Sequence, residues 1–260
     1  MTVLPDTLTM TRRGFAHWAR RPGALVAELA FPVLMLVMFV YFLGGGMAVE
    51  GGGGYEEFVV PGVLALTMAF GLEGTVVALT RDIQRGLLDR FRSLPIVSAS
   101  FLVARSVLDM VSSTVSLLVM LAAGLLVGWR WHDGAASALA AVGLLLLLRF
   151  AMLWTGIWLG LVAGRPEMVQ TVQILVWPVV FLSSAFTSPA TMPGWLGAVA
   201  EWNPMSATAT AVRDLFGNPT WSSDSWAADH ALLLAAAWPL AILAAFVPLA
   251  LRRWAALSER

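Results

Sequence analysis

The chain has 260 residues, 59% of them hydrophobic and 12% charged, with zero net charge and a mean hydropathy of +0.80. Soluble domains carry about 25% charged residues, so an integral membrane protein is expected, and no basic surface argues for nucleic acid. Neither Cys nor Lys occurs, which removes disulfides, thiolate metal sites and Cys nucleophiles, the phosphate-binding Lys of a P-loop and Schiff bases, so any ATP-driven work needs a partner chain.

Residues 3–21 carry Leu4, Leu8, Thr11, Phe15 and Trp18 at helical spacing, with Arg12, Arg13, His17, Arg20 and Arg21 mostly elsewhere around the helix. That pattern predicts an amphipathic helix in the membrane interface, or else a basic leader. A first span is expected from Ala24 to Leu43. Gly51 to Gly54 form a flexible loop, and a second span runs from Pro61 to Thr80. Arg81 to Pro95 follows, the densest block of charge in the chain. Its apolar residues Ile83, Leu87, Leu88, Phe91 and Leu94 fall near one helical face, while Arg85, Asp89 and Arg92 fall on another. Either a helix at the bilayer surface or a docking helix for a partner explains it.

Further spans are expected over 101–127, 137–163, 168–186 and 231–251, which makes the fold all-α with six transmembrane helices in one domain. Pro239 and Pro248 lie inside the last span, where neighbouring helices can satisfy the freed carbonyls. The segment 187–229 contains two short apolar helices. The second starts at Asn203-Pro204, with Asn as N-cap and Pro at the first helical position. A re-entrant hairpin dipping into the outer leaflet and a pair of surface-lying helices both fit.

Arginine placement orients the spans. With both termini in the cytoplasm, thirteen of the sixteen Arg are cytoplasmic, Arg130 and Arg213 are outside, and Arg149 lies within a span. Trp129, Trp131, Trp195, Trp202, Trp221 and Trp226 then form an outer aromatic belt.

Three ionisable groups lie inside spans: Glu73, Asp109 and Arg149. Each costs about 2.5–3.5 kcal/mol at a helix centre. Glu73 and Asp109 are placed roughly 10 Å above the cytoplasmic edge, and Arg149 roughly 15–20 Å. A structural ion pair, a proton or substrate site, and separate solvation are all open. Span five carries Gln170, Gln173, Trp177 and Ser184 along one line. Span two carries Thr67, Gly71 and Thr75 at four-residue spacing, a small-residue face suited to close helix contact within or between subunits. No catalytic constellation is legible, and His17, His132 and His230 are too dispersed for a metal site.

Three stretches resemble the type-2 ABC exporter permeases, in particular the daunorubicin-resistance permease group. The first is Tyr55-Glu56-Glu57-Phe58-Val59-Val60-Pro61-Gly62. The second is Gln84-Arg85-Gly86-Leu87-Leu88-Asp89-Arg90-Phe91-Arg92-Ser93-Leu94-Pro95. The third runs from Phe181-Leu182-Ser183-Ser184-Ala185-Phe186 through Met192-Pro193-Gly194-Trp195-Leu196 and Asn203-Pro204 to Arg213. The resemblance implies a half-transporter in the bacterial plasma membrane. A second permease copy would pair with it, and two ATPase subunits would hold ATP and Mg, with no cofactor on this chain. It further implies that Arg81, Asp82, Gln84, Arg85, Gly86, Leu87, Leu88, Asp89, Arg90, Phe91 and Arg92 form a coupling helix. Spans two and five would line the dimer seam and pathway, and Met192, Pro193, Trp195, Asn203, Pro204 and Arg213 would belong to an outer gate. Where the family often has Glu in the coupling segment, this chain has Gln84, which weakens a salt bridge to the ATPase there. The cargo implied is a hydrophobic or amphipathic compound. Export of a lipid-linked polysaccharide and an ATP-independent channel or carrier are the alternatives.

Overall fold

A computed structural model describes residues 22–44, 54–86, 98–163, 166–221 and 225–258. The expected interfacial helix over 3–21, Gly51 to Gly53 and Leu87 to Pro95 of the charged block lie outside the described residues.

All regular structure among the described residues is helical. Helix α1 is Pro22–Met38, running on into a π-helical turn, Phe39–Leu43. Then come α2 (Tyr55–Gln84), α3 (Ser98–Leu126), α4 (Gly134–Ala163) and α5 (Pro166–Phe181). After a 3-10 turn at Pro189–Thr191 follow α6 (Gly194–Glu201), α7 (Pro204–Phe216), α8 (Trp226–Asp229) and α9 (Ala231–Ser258). Four helices are long and apolar enough to cross a bilayer: Tyr55–Gln84, Phe101–Leu126, Gly134–Ala163 and Ala231–Leu257. Leu29–Phe42 and Val169–Phe181 are shorter apolar segments.

Helix α2 is the hub. Two-thirds (67%) of its most apolar window is buried within the protein, against 17% for α9. Burial on all sides needs a helix that is apolar around its whole circumference, and small partners where backbones meet. Both occur on α4. A Cβ on Gly156 would lie 2.9 Å from the Leu72 carbonyl oxygen, and one on Gly160 would lie 3.2 Å from Leu79. This is the small-xxx-small contact common between membrane helices.

The helix ends gather on two opposite sides. On one, Arg105 pairs with Asp82 at 2.5 Å, Phe101 stacks on Trp254, and Arg253 donates to the Leu161 carbonyl. This joins the end of α2, the start of α3, the end of α4 and the end of α9. On the other, His132 meets Glu57 at 2.9 Å, the Trp129 indole donates to Asn218, and the His132 amide donates to the Phe216 carbonyl. There the start of α2 and the α3–α4 turn meet the end of α7.

Several boundaries differ from the sequence expectation. Helix α2 starts at Tyr55, well before Pro61, because Glu56 and Glu57 favour a helix N-terminus and a Pro near the start of a helix is tolerated more easily than one at its middle. Arg81 to Gln84 belong to α2 itself, which ends as Gly86 adopts φ 76°, the left-handed conformation common after helix ends. Helix α5 stops at Phe181, five residues short of the expected Phe186.

Candidate functional site

Successive helical residues turn by about 100°, so Gly71 and Thr75 share a face of α2 while Glu73 points nearly opposite. The three intramembrane charges divide accordingly. On the Gly71–Thr75 face, Arg149 of α4 donates through Nε to Ser113 Oγ (2.6 Å) and through Nη2 to Thr75 Oγ1 (3.1 Å). The Thr75 hydroxyl lies 3.1 Å from both Asp109 Oδ2 and the Gly71 carbonyl, and can give its single proton to either. Arg149 is buried, and a Cβ on Gly71 would sit 2.6 Å from its Nε. Gly71 is therefore the space the guanidinium occupies. Gly71 and Thr75 face α4 of the same chain, and Thr67 donates to the Val63 carbonyl one turn back.

On the opposite face, Glu73 turns to α5. Gln173 Nε2 donates to Glu73 Oε2 at 3.2 Å. Glu73 Oε1 is buried without a partner. Trp177 lies four residues after Gln173 and so shares its face of α5. Gln170 is exposed and takes no part. Above Glu73 the rings of Trp177 and Phe181 stack at 5.5 Å, Phe181 and Phe186 at 5.9 Å, and Phe186 and Phe39 of α1 at 4.6 Å. Phe70 flanks Trp177 at 5.0 Å.

Beyond α5 the chain bends, and the carbonyls freed there are taken up by the two-helix hairpin. Asn203 accepts from the Met205 amide as N-cap of α7, and its Nδ2 lies 2.6 Å from the carbonyls of both Val179 and Leu182. Arg213, completely buried, donates to the carbonyls of Phe58 (3.0 Å), Ser184 (3.1 Å) and Ala185 (2.6 Å), and its guanidinium stacks on Phe58 3.8 Å from the ring centre. Desolvation lowers the Arg213 pKa to about 9 and raises that of the adjacent Asp214, so Arg213 stays charged at neutral pH. Gly62 makes the approach possible, since a Cβ there would lie 2.7 Å from the Ala185 oxygen. Ser184, expected on the α5 line, sits instead past the helix end, where its amide donates to Ser206 Oγ at 2.8 Å. Pro193 caps α6, Pro204 is the first residue of α7, and Met192 and Trp195 lie towards the surface, Trp195 at 73% exposure.

Of the coupling segment, Arg81, Asp82, Gln84, Arg85 and Gly86 lie at the α2 terminus, with Arg81, Gln84 and Arg85 exposed. Leu87, Leu88, Asp89, Arg90, Phe91 and Arg92 are outside the described residues. Reading the residues in order missed Ser113, Ser206, Phe70 and Asn218. The turn of α2 between Glu73 and Thr75 was the available signal that the three charges could not all meet.

Residues 5–216 match the model of the ABC-2 type transporter family. The chain is 32% identical over 252 residues to the daunorubicin resistance ABC transporter permease protein DrrB1 of Streptomyces coeruleorubidus, covering 96% of this chain and 86% of that protein. It is 26% identical to the probable doxorubicin resistance ABC transporter permease protein DrrC of Mycobacterium tuberculosis, over 84% of this chain and 79% of the relative. It is 24% identical to the putative transport permease ycf38 of Porphyra purpurea, over 85% and 77% respectively.

Proposed function

The chain belongs to the ABC-2 type transporter family and is a membrane permease of an ABC exporter, and we propose that it moves hydrophobic or amphipathic compounds such as drugs, polyketides or lipids out of the cytoplasm or inner leaflet. The observation that carries this reading is the match to a drug-resistance permease along nearly the whole chain. Permeases of this family imply an ATPase partner. In the proposed assembly two permease copies sit above two ATPase subunits, which bind ATP and Mg.

The proposed topology has six spans, with α1 and α5 completing the four long helices, and both termini in the cytoplasm of a bacterial inner membrane. The charge distribution supports this orientation. Arg81, Arg85, Arg105, Arg252 and Arg253 gather at one side of the bundle, against Arg130 and Arg213 at the other. The segment from Arg81 to Arg92, entered through the last turn of α2, couples the permease to the ATPase. The Asp82–Arg105 pair ties its first arm to α3, so that ATPase closure would move α2 and α3 together. The hairpin α6–α7 dips into the outer leaflet as part of an exit gate. Its hydrogen bonds to the carbonyls of Val179 in α5 and of Leu182, Ser184 and Ala185 just beyond it support a link between gate and pathway.

The reading is tested by purifying the permease with the ATPase it associates with and following ATP turnover as lipophilic compounds are added. Stimulation that is lost in Arg85→Ala supports it. Turnover indifferent to every lipophilic compound tried would remove the proposed cargo class.

A further inference from the structure

The two-helix hairpin, α8 and the start of α9 surround a partly open cavity of about 30 Å³. A single water occupies about 10–15 Å³ of such space, so the cavity has room for about two water-sized groups. Four alanines of α7, α8 and α9 line it, and a longer side chain at any of them would occupy the space.

The polar part of the lining carries charge of one sign. Ser184, Ser206 and Thr210 bring hydroxyls, and among the described residues of the lining Glu201 alone is formally charged. The Ser184 hydroxyl lies 3.4 Å from Thr210 Oγ1 and 3.5 Å from the Ser206 carbonyl, beyond the roughly 2.5–3.0 Å usual for hydroxyl hydrogen bonds. Ser206 Oγ donates to the Ala200 carbonyl at 2.5 Å and accepts from the Ser184 amide at 2.8 Å, which leaves it a lone pair. Trp221 completes the lining, its indole N–H already given to the Ser184 carbonyl.

These groups match an ammonium. It brings three donors and no acceptor to a cavity of hydroxyl oxygens, and a carboxylate and an indole both favour its charge. A phosphate would meet the Glu201 carboxylate with no described cationic side chain in the lining to offset it. Size selects as well. An ammonium and the methylene that carries it fill two water-sized places, whereas a trimethylammonium is larger than the space.

The flanking residues place the cavity at a bilayer surface. Trp202 follows Glu201, and Trp226 precedes Ala227 of the lining. The two rings stack at 5.8 Å, Trp226 stacks on His230 at 4.3 Å, and both tryptophans are half exposed, at 51% and 52%. Exposed tryptophans of membrane proteins gather at the level of the lipid headgroups, and an ammonium at that level is the end of a phospholipid headgroup.

We propose that this cavity binds the ammonium of an ethanolamine phospholipid, received by Ser184, Ser206, Thr210 and Glu201. The leaflet in which the lipid lies rests on the topology given above; the headgroup chemistry does not.

The test counts lipids bound to the full-length permease by native mass spectrometry. Detergent micelles carry phosphatidylethanolamine, phosphatidylcholine or phosphatidylglycerol with identical acyl chains. The wild-type chain is expected to bind the ethanolamine lipid at least about tenfold more tightly than either of the others, a difference of about 1.4 kcal/mol. Ala227→Leu, which fills the cavity, and Glu201→Gln are each expected to remove that preference while leaving the weak binding common to all three lipids. Free ethanolamine at the same concentrations is expected not to displace the lipid. The proposal is overturned if the three lipids bind the wild-type chain alike, as they would if the cavity held only water. It is equally overturned if Glu201→Gln keeps the preference, or if free ethanolamine displaces the lipid, which would assign the site to soluble amines. The comparison on the wild-type chain stands even if a variant does not accumulate. Neither ATPase nor cargo is present, so failure here leaves the exporter reading intact.

Discussion

Arg213 shows how a buried cation can be held without a carboxylate. Three backbone carbonyls and the face of Phe58 surround it, and charge-assisted hydrogen bonds of this kind are about twice as strong as neutral ones. Its removal is not equally costly to all three acceptors. The Ser184 oxygen also accepts from the Trp221 indole at 3.1 Å, and the Phe58 oxygen lies within α2. The Ala185 oxygen loses its bond from Arg213 Nη2. Arg213→Met is therefore expected to destabilise the protein by about 1–3 kcal/mol, the cost of one orphaned buried acceptor. Thermal unfolding in detergent reads this, and an unchanged midpoint would show that the cage does not stabilise the fold. The sequence marked Glu73, Asp109 and Arg149 as expensive and therefore as needing partners, but not which partners they take. Thr75 and Ser113 are unremarkable in a list of residues. They become a bridge only when Gly71 leaves room for Arg149 against α2.

At the scale of elements, α5 and the hairpin behave as one unit. A helix end leaves four carbonyls unsatisfied; here Asn203 and Arg213, both from the hairpin, bond carbonyls at or just beyond that end. The start of α7 was legible because Asn-Pro is a strong local signal. The end of α5 was not. Leu182 to Phe186 are mostly apolar, and what stops the helix is tertiary: residues distant in sequence accept the bend. The Asp82–Arg105 pair is the corresponding link on the other side. Asp82 lies in the last turn of α2 and Arg105 near the start of α3, so the pair links the two helices on either side of Leu87 to Pro95. Asp82→Ala is expected to lower cargo-stimulated ATP turnover of the complex while basal turnover remains, and Asp82→Arg combined with Arg105→Asp to restore it in part. Equal stimulation in wild type and Asp82→Ala would exclude a role for the pair in coupling.

At the scale of the whole molecule, composition alone identified a membrane protein, and hydrophobic run lengths located the four long helices to within a few residues, apart from the earlier start of α2 and the later end of α9. What run lengths could not supply was which helix is central. That depends on Gly156 of α4 admitting the α2 backbone at Leu72 and Gly160 admitting the Leu79 side chain, a property of matching surfaces. The orientation can be read directly, because the chain contains no Cys and every introduced thiol reports alone. Gln84→Cys is expected to react with a membrane-impermeant maleimide only after the cytoplasmic side is opened, and Ala135→Cys in intact cells. The reverse pattern would invert the proposed topology.

Sealed inside-out vesicles containing the permease and its ATPase give the most direct measurement, as uptake of a lipophilic fluorescent compound on addition of ATP and Mg. An ABC exporter of amphipathic compounds accumulates the compound in the vesicle lumen only with hydrolysable ATP, and loses that accumulation when the ATPase is omitted. Accumulation that persists without ATP or ATPase, or none for any lipophilic compound under conditions where the complex hydrolyses ATP, would contradict the proposed function.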